Sequence, residues 1–207
     1  DTTLPVTLDD IIYHAEIVVR AVRHALVVVD LPFPTHLVGV QSAIVSAGRI
    51  LKETRCQAVK LEGGEDQAGT ISALVSAGIP VMGHIGLRPQ SVHTMGGYKV
   101  QRDEERLLND ALAVQQAGAF SVVLECVPAE LAEKITTALD IPTIGIGAGS
   151  QCDGQVLFLT DMLGLTTEAP RFVKRYANLQ DTISEAAKQY REEVQSGEFP
   201  ASEHSYK

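Results

Sequence analysis

The sequence predicts an α/β fold built on a parallel sheet. Short apolar, β-branched runs alternate with longer amphipathic stretches, which is the pattern of repeated βαβ units. The runs are apolar almost throughout instead of alternating, as expected of strands covered on both faces. Three of them also end on a carboxylate: Leu26-Val27-Val28-Val29-Asp30, Ala58-Val59-Lys60-Leu61-Glu62 and Ser121-Val122-Val123-Leu124-Glu125. A buried charge is costly unless it is paired or bound to a cation. Parallel α/β folds place their sites at the C-terminal ends of strands. Three acidic strand ends in one domain therefore predict a shared site containing a metal.

The elements follow in order. Thr7 is a good N-cap, with Asp9 and Asp10 in the first turn of a helix to Arg20. Strand Leu26–Asp30 comes next, and Pro32 and Pro34 then open a loop. Val40–Thr54 has helical periodicity and precedes strand Ala58–Glu62. Gly63-Gly64 turns the chain into a helix from Asp66 to Ser76, and strand Pro80–His84 follows. The long loop Ile85–Gln101 is rich in Gly, Pro and polar groups, a mark of functional or mobile segments. Helix Asp103–Ala117 opens on three acids and stops at Gly118. Strand Ser121–Glu125, a helix from Pro128 to Leu139, strand Pro142–Ile146 and strand Gln155–Leu159 are next. Two helices, Pro170–Ala177 and Gln180–Ser196, close the chain. Six strands are countable, two fewer than a (β/α)8 barrel requires. The opening Asp1-Thr2-Thr3-Leu4-Pro5 carries no methionine, and the expectation is a single barrel domain, 1–207, missing an N-terminal segment.

The chain has 207 residues, 45% of them hydrophobic, enough for one sizeable core. The net charge of −9 argues against nucleic acid as a partner. Aromatics make up 5% and Trp is absent, so stacking platforms are not expected either. No apolar run has the length of a membrane span, and no charged-then-apolar leader opens the chain. The three cysteines, Cys56, Cys126 and Cys152, are widely spaced, which predicts free thiols in a cytoplasmic protein.

Several blocks occur in a telling order: Val59-Lys60-Leu61-Glu62-Gly63-Gly64, Gly83-His84-Ile85-Gly86-Leu87 with Pro89-Gln90-Ser91, Gly96-Gly97-Tyr98-Lys99-Val100-Gln101, Leu124-Glu125-Cys126-Val127-Pro128 and Ile144-Gly145-Ile146-Gly147-Ala148-Gly149. Glu203-His204-Ser205 sits near the end. Together they closely resemble the ketopantoate hydroxymethyltransferase family over essentially the whole chain. The resemblance implies a (β/α)8 TIM barrel of the phosphoenolpyruvate/pyruvate type, lacking its first two strands here. It implies transfer of a hydroxymethyl group from 5,10-methylenetetrahydrofolate to 3-methyl-2-oxobutanoate (2-oxoisovalerate), with Mg²⁺. The product is 2-dehydropantoate (ketopantoate), in pantothenate biosynthesis, and the assembly is a homo-oligomer, commonly a decamer. By the same resemblance Asp30 binds metal and lies against the keto acid, Glu62 is the second metal carboxylate, Lys60 contacts the keto acid and Glu125 is the proton acceptor. A Gly-Asp-Ser stretch supplying another metal ligand would precede Asp1. Arg88 stands where Thr is common.

The residues fit that chemistry. Removing a proton next to a carbonyl leaves an enolate, and a divalent cation stabilises it as a Lewis acid. Mg²⁺ prefers few carboxylates plus water and substrate oxygens. Lys60 and Glu62 are two apart on one strand and share a face. The plainer readings are helix-capping or solvated carboxylates, and an internal Lys60–Glu62 ion pair. His84 is either a substrate contact or a satisfied core histidine, and His93 belongs to the surface. Lys99 and Arg102 are candidates to meet the folate's carboxylates. Gly145-x-Gly147-x-Gly149 lacks a following Rossmann helix and reads as tight packing at a barrel mouth, and Cys126 as a structural thiol. Two further functions remain in view: a metal-dependent lyase or mutase of the same barrel superfamily, and an inactive barrel serving as an oligomer scaffold.

Overall fold

The computed structural model describes residues 2–207. They form two compact units, one ending at Val156 and one beginning at Leu157.

The first unit is a run of β/α repeats. Its helices are α1 (Leu8–Ala21), α2 (Val40–Thr54), α3 (Ala68–Ser76), α4 (Glu104–Gln116) and α5 (Ala129–Ala138). Its strands are β1 (Val28–Asp30), β2 (Ala58–Lys60), β3 (Val81–Gly86), β4 (Ser121–Glu125), β5 (Thr143–Ile146) and β6 (Gly154–Gln155). Every neighbouring pair is parallel, and the spatial order is the sequence order. A doubly wound sheet would reverse its order at a switch point. An unreversed order, with a helix after each of β1 to β4, is that of a (β/α)8 barrel, although β5 runs directly to β6.

Local chemistry sets the helix ends. Thr7 Oγ1 accepts from the Asp10 amide at 3.1 Å, and Asp10 Oδ2 accepts from the Thr7 amide at 3.0 Å. This reciprocal box satisfies two orphan donors of α1. Asp103 caps α4 by accepting from the Arg106 amide at 3.1 Å.

The core lies between the sheet and its helices. Val59, Leu61, Val81, Ile85, Val122 and Leu124 pack with Ala43, Ala47, Ile50, Leu74, Leu107 and Ile135, all nearly or fully sealed from solvent. Gly83 lets α4 approach β3: a Cβ there would fall 2.4 Å from Val114 Cγ1.

Register fixes which side chains share the other face. Asp30 pairs with Lys60, Lys60 with Met82, His84 with Val123 and Gly86 with Glu125. Partners across a parallel ladder point the same way, and alternate residues along a strand return to the same face. Asp30, Lys60, His84 and Glu125 therefore project to one side, at the C-terminal ends of four consecutive strands.

The second unit holds α6 (Leu159–Met162) and α7 (Leu179–Ser196). Two expected elements differ here. The strand expected over Gln155–Leu159 stops at Gln155, and Leu159 starts a helix closed by the Leu163 amide donating to the Leu159 carbonyl at 3.0 Å. The helix expected over Pro170–Ala177 is a single turn, closed by the Val173 amide on the Pro170 carbonyl. Arg175 instead donates to the Thr166 and Thr167 carbonyls, holding this stretch as a loop. No helix among the described residues is long and apolar enough to cross a membrane.

Candidate active site

The strand-end groups are linked into one polar line. Lys60 Nζ lies 2.8 Å from Asp30 Oδ2 and 3.0 Å from His84 Nδ1. His84 Nε2 lies 3.1 Å from Glu125 Oε2. The Lys60 ammonium has only donors, so His84 Nδ1 must accept and the ring proton sits on Nε2, facing Glu125. That last approach is close but badly angled, and Nε2 makes no hydrogen bond of good geometry. Lys60 pairs with Asp30, so the internal Lys60–Glu62 pair weighed as a plainer reading is not the one formed.

Burial governs the charges. It pushes Glu125 up to about 7, against the favourable field of Lys60 and with some help from Asp30. Burial likewise raises Glu62 to about 7, opposed by Lys60 and by the Gln90 amide. For His84, burial first and the Lys60 charge second hold the ring well below its usual range, so it is neutral. Both carboxylates are thus poised near neutrality, where a base is most effective.

Glu62 is almost fully buried. Its Oε2 accepts from the Gln90 amide at 2.9 Å, and its carbonyl meets His36 Nε2 at 3.2 Å. Asp30 Oδ1 is buried and has no hydrogen-bond partner.

The backbone beneath Glu125 is tightly held. Its carbonyl accepts from the Leu87 amide at 2.8 Å, and the next carbonyl, of Cys126, accepts from the Gln101 amide at 2.8 Å. Cys126 has φ 51, a left-handed conformation uncommon for a residue with a side chain. Gly86, with φ 91, faces the same point: a Cβ there would lie 2.3 Å from the Glu125 carbonyl oxygen. The Cys126 thiol is pushed up to about 11 by burial and by Glu125, which leaves it unreactive.

The other candidates fall as follows. His93, Lys99 and Arg102 are exposed on the loop after β3. Arg88 donates to Asp66 Oδ2 at 2.8 Å. Gly149 packs against the start of α5, where a Cβ would lie 2.5 Å from Ala129 Cβ, as tight packing requires. His36, Gly86 and Gln90 carry no individual signal of a site role in the sequence, although Gly86 and Gln90 both lie within the family-like blocks.

A family model described as ketopantoate hydroxymethyltransferase matches residues 1–202. The chain belongs to the ketopantoate hydroxymethyltransferase family. It is an enzyme of the hydroxymethyltransferase class, which transfers one-carbon units. It is 57% identical to the 3-methyl-2-oxobutanoate hydroxymethyltransferase of Desulforapulum autotrophicum, covering all of this chain and 79% of that protein. It is 56% identical to the enzyme of the same name from Rhodopirellula baltica, covering 99% of this chain and 77% of that one. The fold is shared more widely. A phosphoenolpyruvate phosphomutase from Streptomyces platensis subsp. rosaceus aligns over 93% of this chain and 69% of its own, with TM-score 0.57 and 16% identity. A phosphonopyruvate hydrolase aligns over 99% of this chain and 73% of its own, with TM-score 0.55 and 10% identity. These identities support the barrel fold alone.

Proposed function

We propose that this chain transfers a hydroxymethyl group from 5,10-methylenetetrahydrofolate to 3-methyl-2-oxobutanoate, yielding 2-dehydropantoate. The observation that carries the reading is the continuous line Asp30–Lys60–His84–Glu125 across four strand ends, with Glu62 beside it. The names of its relatives support the keto acid as substrate; the line of residues fits the proton chemistry.

The donor set suits Mg²⁺. Asp30 offers a buried oxygen without a partner, and Glu62 is a carboxylate whose charge burial disfavours until a cation arrives. Asp30 and Glu62 would hold the ion, Glu62 through water, in keeping with the few carboxylates that Mg²⁺ accepts. When bound, the ion supplies Lewis-acid polarisation of the keto group.

The chain's own groups do the rest. Lys60 neutralises the carboxylate of the keto acid. Glu125 takes the proton from C3, and the carbon pair left behind attacks the folate's methylene carbon. His84 stands behind Glu125 with its N–H toward the carboxylate, where it can hold the base once substrate aligns the contact, and lies at the edge of the substrate site. Lys99 and Arg102, on the exposed loop, meet the folate's carboxylates. Overall, the methylene carbon exchanges its two bonds to folate nitrogens for one to C3 and one to the oxygen of a water; the C3 proton and one water proton end on those nitrogens, and tetrahydrofolate is released. The reading includes a homo-oligomer, commonly a decamer in this family, acting in the cytoplasm; exposed Tyr13, Val18 and Val45 on α1 and α2 support burial against another copy.

The test is turnover of the purified protein with 3-methyl-2-oxobutanoate, methylenetetrahydrofolate and Mg²⁺, following 2-dehydropantoate. Product that forms without the folate, or none with it, rejects the proposal. A lyase or mutase would need no one-carbon donor.

A further inference from the structure

We propose that Gln90 is a positioning residue that sets the spacing of the two carboxylates assigned to the cation. The inference rests on the metal-site reading above. Gln90 is not on either strand concerned. It sits in a 3-10 turn, Pro89–Ser91, in the loop after β3, and is only 8% exposed. From there it reaches both strand tips. Its backbone amide donates to Glu62 Oε2 at 2.9 Å, and its side-chain Nε2 donates to the Leu31 carbonyl at 2.8 Å. Leu31 follows Asp30 directly, is fully buried, and its own amide donates to the Lys60 carbonyl at 2.9 Å.

One residue thus grips the carboxylate of β2's extension and the peptide that ends β1. The bonds dictate the orientation of the amide. Turning it over would set Oε1 against the Leu31 carbonyl, two acceptors face to face. With Nε2 and the backbone both committed, Oε1 remains buried without a partner, spare acceptor capacity beside the site. A buried amide oxygen left unpaired is unfavourable, and such groups gather where a ligand completes them.

A bland alternative exists: Gln90 merely anchors its loop. The neighbouring ion pair from Arg88 to Asp66 anchors the same loop without touching Leu31 or Glu62, and so provides the control. The probe is Mn²⁺ added to the metal-free protein, with free Mn²⁺ read by electron paramagnetic resonance and the thermal midpoint followed in chelator. Gln90→Met keeps the length and loses the amide. Gln90→Asn keeps an amide that falls short of Leu31, and holds polarity if the Met variant does not fold. Both should weaken Mn²⁺ binding about 10- to 100-fold, the scale seen when groups supporting metal ligands are lost, while Arg88→Ala stays within about twofold. Variants of Gln90 that bind within roughly threefold of the parent, or an equal loss in Arg88→Ala, overturn the positioning role. A parent protein that fails to bind Mn²⁺ at millimolar concentration overturns the metal site itself, and is recognised before any variant is compared.

Discussion

His84 Nε2 approaches Glu125 Oε2 to 3.1 Å while its other ring nitrogen is held by Lys60. The lysine thereby selects the tautomer that presents an N–H to the carboxylate. Catalytic hydrogen bonds are often misaligned before substrate arrives and tighten on binding. His84→Phe should therefore leave keto-acid affinity within about threefold but lower turnover by about 100-fold, the cost of a slightly misplaced base. It should also move the acidic limb of the rate profile upward, since the anion loses a donor. An unmoved limb would assign His84 to packing alone.

The pH dependence follows from Glu125. A base held near 7 is mostly protonated at pH 6 and mostly ionised at pH 8. Exchange of the C3 proton of 3-methyl-2-oxobutanoate with solvent should rise about tenfold per pH unit below the limb and level off above it. A profile that is flat between about pH 5.5 and 8.5 would exclude Glu125 as the group that limits the rate.

Stability should run the other way. The folded value, about 7, lies above the ordinary 4.5. Between those values the folded state binds more protons than the unfolded state, so stability is lost as pH rises and stays lost above the folded value. Full ionisation costs on the order of 3 kcal/mol. Glu125→Gln, while abolishing proton exchange, should bind metal and keto acid as before and resist urea better than the parent at pH 8. The two should converge near pH 4. Equal midpoints at both pH values would mean that the carboxylate is not strained by burial.

Gly86→Ala tests the seat of the base. A methyl group would press on the Glu125 carbonyl from 2.3 Å at a backbone angle that alanine adopts poorly. The expected loss is about 1–3 kcal/mol of stability from backbone strain alone. Turnover should fall more than keto-acid affinity does. A fully active Gly86→Ala enzyme would show that the tip of β4 has room to shift.

Local patterns were legible and long-range closures were not. Helix Val40–Thr54 and strand Ser121–Glu125 match their expected limits because periodicity and turn residues mark them within a few positions. The acidic strand ends were visible for the same reason. The partner of Lys60 was not: Glu62 on the same strand is the partner the spacing suggests, and the register of β1 on β2 sets Asp30 opposite Lys60 instead. The role of Gln90 depends on a loop folding back over strands 28 and 59 residues earlier, and no spacing rule encodes that. The strand expected at Gln155–Leu159 stops early because an apolar run of that length does not by itself distinguish strand from helix; here Val156, Phe158 and Leu159 are exposed and Leu159 opens α6.

Both ends of the long loop after β3 are stapled to adjacent peptides, Leu87 to the Glu125 carbonyl and Gln101 to the Cys126 carbonyl. The intervening segment is thus a closed noose whose knot is the tip of β4. Rearranging its outer part, from Thr94 to Val100, should leave both staples on the tip of β4 in place. Under the proposed reaction, changes in that outer part should act on capture of the second substrate and spare enolisation of the first.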